Sequence, residues 1–477
     1  MKRKLTIGII IIIILLLIVP IILGCLYANP SGDDYSYYAF HNRTEVDTLS
    51  ETLGELNTFV SGHYNGTQGT FFSYIIVYLM TLTGIEMYSF WLVVLMLLFF
   101  GSLFYFVFTL FRAIFKTLDW TKILVFYAGI CVLTQLITPN TLFFSLHCMI
   151  AYLLPLSLCV LMSSLVIKML VYKDKLVINT MILSLLGVAS CGSILIYPVF
   201  LLEAFFMITL FLRIKKSKLT KYFLIIFIVL CVATLANIAA PGYQNRLNLT
   251  DLQGVNLANV LVASSISTFE LIAKYALTTP IIAVLLLSIP FIHNNCKDKN
   301  CNFMNPLLLL CCSFVLIISL FIPLHYGMGV DYMAPRYAFP ALILFFILFF
   351  INMINFYGWL NKKYPEHVQH INKRGVLYLL AVLSLGISFV AFPISSYNSV
   401  VLIKGFNNHS IQSQHYADIS FRNELEAYRG KDDVILHVNG RVAKHPFFYR
   451  IGITGDSAYY NNGVVGAYYQ NKSVKLL

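Results

Sequence analysis

Two neighbouring carboxylates, Asp33 and Asp34, stand in Asn29-Pro30-Ser31-Gly32-Asp33-Asp34-Tyr35, a few residues past a long apolar run. Only 11% of the 477 residues are charged, so an acidic pair at the margin of an apolar segment is an uncommon placement. A carboxylate there can take the proton of a hydroxyl group. Adjacent acids repel, so one of the two can hold a proton or bind a cation. The plainer alternative is structural: Ser31, Asp33 and Asp34 are all good helix N-cap types, with Tyr35-Ser36-Tyr37-Tyr38 as a first turn. The two roles are compatible.

Positive charge is the second ingredient. In Asp331-Tyr332-Met333-Ala334-Pro335-Arg336-Tyr337, Pro335 suits the first turn of a helix. A helix N-terminus joined by the Arg336 guanidinium makes an anion site, best suited to phosphate. Arg246, in Pro241-Gly242-Tyr243-Gln244-Asn245-Arg246, offers a second guanidinium. Either arginine alone more commonly snorkels to the lipid headgroups. Glu203 stands in the otherwise apolar stretch 193–212, where a carboxyl group needs a partner or a proton. His63, His147 and His325, together with Tyr35, Tyr64 and Tyr337, are further candidates for contact with a polar substrate, but no histidine has a partner at ligand spacing.

Other chemistry is poorly represented. P-loop, HExxH and GxSxG patterns are missing from the sequence. Eight of the ten cysteines lie in or beside apolar runs. Cys296 and Cys301 share one short basic loop without the second pair a zinc site needs, so no metal site is expected.

The elements that must position these residues are membrane helices. The chain is 59% hydrophobic with 15% aromatic residues, and its mean hydropathy is +0.78. Its formal charge of +12 falls in short clusters between apolar runs, the pattern of membrane topology rather than of nucleic-acid binding. Stretches long enough to cross occur at about 5–26, 88–111, 121–138, 146–170, 176–191, 194–212, 220–240, 271–292, 305–325, 337–356 and 375–394. The first reads as an uncleaved helix, although Ile22-Leu23-Gly24-Cys25 resembles a lipoprotein cleavage box.

Charge fixes the count. With these spans, one side gathers Lys2, Arg3 and Lys4, the clusters around Arg112, Lys168 and Arg213, then Lys297, Lys299 and the 362–374 group. The other side before residue 395 holds Arg43, Arg246, Lys274 and Arg336. Letting Phe71–Thr83 cross as well would invert that bias, so this short apolar stretch is expected to lie along the membrane. The expected fold is an all-α polytopic membrane protein with about eleven transmembrane helices, N-terminus inside and C-terminus outside. A long first extracytoplasmic loop, 27–87, contains interfacial helices. The transmembrane domain covers 1–395, and 396–477 forms a small C-terminal extracytoplasmic α/β cap, with a helix at 413–428 and a strand at 434–438.

This arrangement resembles the GT-C superfamily of membrane glycosyltransferases, and more specifically the bacterial families that include phage-type O-antigen glucosyltransferases. The resemblance rests on Gly32-Asp33-Asp34-Tyr35 after the first span, the apolar helix from His63 to Thr83, and Tyr152-Leu153-Leu154-Pro155. It also rests on Pro241-Gly242 with Arg246, and on Ala334-Pro335-Arg336-Tyr337 on the same side. It implies a sugar donor carried on a polyprenyl phosphate, a polysaccharide or lipid-linked glycan as acceptor, and a site in the cytoplasmic (inner) membrane facing outward. Asp33 or Asp34 would then deprotonate the acceptor hydroxyl while Arg336 and Arg246 hold the departing phosphate, giving inversion at the anomeric carbon. Tyr459, Tyr460, Tyr468 and Tyr469 could stack on sugar rings, although packing is the commoner use of such residues. No cofactor is implied with certainty, and assistance by Mg²⁺ stays open. The competing readings are a flippase or transporter for polysaccharide intermediates and a polysaccharide polymerase or ligase. Transporters concentrate polar features near the bilayer midplane, where Glu203 is nearly alone in this sequence.

Overall fold

Long runs of Leu, Ile, Val and Phe can place their backbone in a bilayer only as helix or closed barrel, because every N–H and C=O must be paired away from water. The computed structural model describes residues 2–41, 48–114, 119–137, 140–249, 256–276, 282–283, 286, 289, 304–328, 335–364, 374–436, 445–447, 456 and 458–476, and where it describes these runs they are mainly helical. In chain order the first helices are α1 Lys2–Leu26, α2 Asp33–His41, α3 Leu49–Gly66, α4 Phe71–Thr81, α5 Tyr88–Ile114, α6 Trp120–Leu133 and α7 Asn140–Phe143. There follow α8 Leu146–Cys148, α9 Leu154–Val171, α10 Leu176–Cys191, α11 Ile196–Ile214, α12 Thr220–Ile238, α13 Pro241–Leu249 and α14 Leu257–Leu271. Pro306–Met328, Pro335–Lys363 and Arg374–Ala391 complete the apolar part.

Among the described residues, eight helices are long and apolar enough to cross a membrane: Arg3–Leu26, Ile85–Ala113, Leu146–Val171, Ile196–Ile214, Thr220–Ile238, Leu257–Tyr275, Pro306–Gly327 and Pro335–Lys363. The chain is an all-α, multi-pass membrane protein. The expected spans at 121–138, 176–191 and 375–394 are shorter apolar helices, Trp120–Leu133, Leu176–Cys191 and Leu379–Ala391. The expected span 271–292 and the loop with Cys296 and Cys301 lie largely outside the described residues. The stretch 257–270, which hydropathy alone assigns to a loop, is helical. Its hydroxyls dilute the apolar signal yet bond within the helix, Ser265 to the Leu261 carbonyl (2.8 Å) and Thr268 to that of Ser264 (2.9 Å).

α5 and α9 make the most extensive helix pair, and Leu146–Val171 is the most buried of the eight long helices. α1, α12 and α14 instead turn many Leu, Ile and Val side chains outward, as lipid-facing helices do. The first loop is folded, not slack. α3 starts with a capping box: Thr48 Oγ1 accepts from the Glu51 amide (3.3 Å) and Glu51 Oε2 from the Thr48 amide (3.0 Å). α4 has 11 residues and so extends about 16 Å, too short for a hydrocarbon core of about 30 Å. One of its faces, with Ser73, Tyr74, Val77, Tyr78 and Thr81, is buried against the protein. Its first turn donates from the Phe72 amide to the Gly192 carbonyl (2.8 Å) at the end of α10.

The tail begins at Asn398, whose side-chain amide donates to the Thr134 and Ile137 carbonyls (both 2.8 Å). Helices Asn398–Asn407 and Ser410–Ala427 lead to strand β1 Asp433–Leu436, and helix Tyr460–Tyr468 leads to strand β2 Ser473–Leu476. β1 and β2 pair in parallel, Asp433 opposite Ser473 and Leu436 opposite Leu476, with that last helix in the crossover between them. The expected helix and strand are thus present, the strand one residue earlier, with 437–438 outside the described residues. The Tyr460–Tyr468 helix packs on α2.

Two glycines seat the first loop on the bundle. A Cβ on Gly69 would lie 1.9 Å from the Asn237 carbonyl oxygen, and one on Gly242 2.6 Å from the Thr67 backbone. A Cβ on Gly62, in α3, would meet nothing within 4 Å. Gly69→Ala is therefore expected to destabilise the detergent-purified protein by about 1–3 kcal/mol or more, while Gly62→Ala leaves it near wild type, as thermal unfolding will show.

Candidate active site around Asp33 and Asp34

α2 opens on the two aspartates, and successive helical positions point about 100° apart. That divergence separates their fates. Asp34 is 3% exposed, while Asp33 is exposed. Asp34 Oδ2 accepts from the Tyr88 hydroxyl (2.9 Å) and the Ser31 amide (3.2 Å), and Oδ1 accepts from the His147 amide (3.2 Å). The Ser31 contact ties the turn before α2 to the helix, so Asp34 also has a structural role. His147 belongs to the first turn of α8, which Ser145 caps and which runs on into α9, so Asp34 also sits at the N-terminus of a long helix. Burial nevertheless dominates and pushes the Asp34 carboxyl up to about 6, against the opposing hydrogen bonds from Tyr88, His147 and Ser31.

Tyr88 links this node to the bundle. Its hydroxyl accepts from the Leu146 amide (3.2 Å) and lies 3.2 Å from the Phe144 carbonyl. Between α8 and α9 the chain forms a π turn, Met149–Leu153. Pro155 lacks the N–H that would bond back to the Ala151 carbonyl, which accounts for the widening just ahead of it. The turn presents Tyr152, whose carbonyl takes a hydrogen bond from the Tyr197 hydroxyl and whose ring meets Tyr337 edge-on at 5.3 Å.

Around Asp34 lies an aromatic and imidazole cluster. Tyr37 stacks on His147 (5.2 Å, 28°), and His63 stacks on Tyr74 (4.3 Å, 10°) with Tyr37 5.6 Å away. Burial, reinforced by the nearby His147, lowers His63 to about 4, so this ring is neutral at physiological pH. Burial likewise holds the Tyr37 phenol well above its ordinary value, keeping it a neutral donor. His147 Nδ1 is buried without a hydrogen-bond partner among the described residues.

Arg336 joins this group. The charges of Arg336 and Asp33 both reach the His147 imidazole, and those of Arg336, Asp33 and Asp34 all reach Cys148. Its guanidinium lies 5.6 Å from the Tyr337 ring centroid, and its Nε is buried with no partner among the described residues. Beside Tyr337 is a cavity of ≈230 Å³ whose walls include Ile194, Ile196, Ile238, Pro323 and Leu324.

Not every candidate residue converges here. The side chain of Arg246 and residues 331–334 lie outside the described residues; α13, which carries Arg246, packs on α3. Tyr35 is fully buried against the tail, edge-on to Tyr468 at 5.5 Å. Tyr64 donates to the Ala236 carbonyl and anchors α3 to α12. Glu203 faces Ser319 of the Pro306–Met328 helix with one carboxyl oxygen unpartnered. His325 shares a 2.9 Å hydrogen bond with Ser267.

Tyr88 and Tyr74 went unnoticed in the sequence, where they read as ordinary aromatics at helix margins, and Tyr37 was read only as part of the first turn of a helix. Tyr460 gave a faint signal as one of four tail tyrosines. Its hydroxyl donates to Asp33 Oδ1 (3.2 Å), so the tail and the first loop share one face of the molecule. Among the described residues, no three His, Cys, Asp or Glu side chains converge as a metal site.

No family model matches the chain, and no curated protein or solved structure matches it either. The site's own geometry therefore carries the functional reading.

The raised Asp34 value has a sign that can be checked. The folded state binds this proton more tightly than the unfolded chain, so the wild type loses stability as pH rises from about 4 to 6. Relative to Asp34→Asn, which is uncharged throughout, the loss is expected to total about 3 kcal/mol for a rise from 3.8 to about 6. Melting temperatures of both proteins across that window test it; parallel curves would contradict the burial of an ionised carboxylate.

Proposed function

We propose that this protein is a membrane glycosyltransferase of the GT-C type. It moves a sugar, a hexose such as glucose, from a polyprenyl-phosphate donor to a cell-surface polysaccharide or lipid-linked glycan. The reading is supported above all by one arrangement: an exposed Asp33 carboxylate beside a rigidly held Asp34, with Arg336 and Asp33 both acting on His147. Asp33 is the general base and Asp34 the positioning residue beneath it. The acceptor oxygen attacks the anomeric carbon as its proton passes to Asp33. The bond from that carbon to the phosphate oxygen breaks, and its electron pair leaves with the polyprenyl phosphate. A phosphate leaving group needs positive charge rather than a general acid, and the unpartnered Nε of Arg336 is available for it. The cavity beside Tyr337, mainly apolar but with Gln68 and Gln244 in its walls, suits the first isoprene units, and His147 Nδ1 suits a sugar hydroxyl.

The site is assigned to the outer face of the cytoplasmic membrane. Basic residues crowd the opposite span ends, so the N-terminus is cytoplasmic; eleven spans then carry the tail outside as a cap over α2. Contacts between the tail and α2 agree with that topology.

The test is sugar transfer from a synthetic polyprenyl-phosphate-linked hexose by the purified protein. Asp33→Asn is expected to lower turnover by about 10²–10⁴-fold, the usual worth of general-base catalysis. Arg336→Ala should lose more kcat/KM for the donor than Arg336→Lys. Wild-type turnover in Asp33→Asn would remove the base, and with it this reading.

A further inference from the structure

The far end of α5 from Tyr88 holds a second cavity. Arg112 lies 24 residues beyond Tyr88, about 36 Å along the helix, so this cavity belongs to the opposite end of the spans. It measures ≈280 Å³, and its walls include Thr109 and Arg112 of α5, Lys168 of α9, and Asp174, Lys175 and Asn179 around the start of α10. Three cations thus face one carboxylate. The ion pairs among the described residues, Arg3–Asp119, Lys122–Asp119 and Arg429–Glu426, use none of them. Lys168 is held by Tyr105, its ammonium bonded to the phenol and 4.8 Å from the ring centroid. Asn179 donates to the Asp174 carbonyl (3.1 Å), fixing the turn.

A second observation points to a missing partner. Thr109 is 2% exposed and its hydroxyl finds no hydrogen-bond partner among the described residues. Helical threonines ordinarily return that hydrogen bond to the carbonyl one turn back. Here a buried donor and acceptor is left over in the wall of a cavity with excess positive charge.

We propose that this cavity binds a phosphate group. A phosphate diester or monoester supplies the negative charge that Arg112, Lys168 and Lys175 lack, and oxygens for the Thr109 hydroxyl. The same chemistry is offered by an anionic phospholipid headgroup and by soluble phosphate. Exposed Val171, Val177 and Ile178 next to the cavity provide a surface for acyl chains, which favours the headgroup. The inference is independent of the sugar-transfer reading.

The experiment compares melting temperatures of the full chain in nanodiscs of phosphatidylcholine alone, with phosphatidylglycerol added, or with inorganic phosphate in the buffer. Phosphatidylglycerol is expected to raise the melting temperature, and Arg112→Gln/Lys175→Gln to abolish that shift. Lys216→Gln/Lys218→Gln, an equal charge loss on another loop, should retain it. A shift produced by inorganic phosphate as fully as by phosphatidylglycerol would assign the site to a soluble ligand. Should the first double variant fail to fold, Thr109→Val decides, since it removes the hydroxyl without charge and should shrink the shift. No shift with either additive, or equal loss in the Lys216→Gln/Lys218→Gln control, would overturn the proposal.

Discussion

The buried carboxylate of Asp34 is the constraint from which the site follows. Its three donors come from the turn before α2, the start of α5 and the first turn of α8. Taking a carboxylate out of water costs several kcal/mol unless its oxygens are engaged, so these bonds offset the cost only when all three segments are in register. One side chain thereby fixes the first loop against two long helices. Asp33 inherits a defined position from its neighbour, while its own carboxylate stays at the surface.

The first loop is consequently a wall of the site. On one side it is keyed to α12 and α13 by the close approaches at Gly69 and Gly242. On the other it is covered by the tail: Asn29 bonds Asp418 (3.3 Å) and Arg422 (3.1 Å), and Tyr35 fills a slot beside Tyr468 and Tyr469. Rigid walls suit the proposed transfer, which needs one hydroxyl and one phosphate oriented together, because positioning accounts for much of catalytic rate.

Much of this was legible in the sequence because apolar length and charge distribution obey bilayer physics with little help from tertiary contacts. The long helices from Leu146 and Thr220 were read within a few residues, and the one from Pro335 was placed correctly but ended seven residues short. Failures came where local chemistry blurred the pattern. Ser264, Ser265, Ser267 and Thr268 hide a helix in which Ser265 and Thr268 bond back within the turn and Ser267 bonds His325. Within the site, residue type alone flagged Asp33, Asp34, His147 and Arg336, since charge and imidazole are conspicuous in an apolar chain. It could not separate the roles of the aspartates, because burial of one and not the other depends on Tyr88, more than fifty residues away. Tyr35, Glu203 and His325 were flagged by the same conspicuousness, and each is engaged in packing or in contact with a neighbouring helix.

Order of synthesis adds a consequence for biogenesis. The hydrogen bond from Tyr460 to Asp33 spans 427 positions, so α2 leaves the ribosome long before its cover exists. Until then Tyr35 and Tyr38 have no aromatic lid and a nascent chain presents an unfinished surface at the bilayer margin. Loop-closure entropy over such a separation makes this a late step, reached after the helices have inserted.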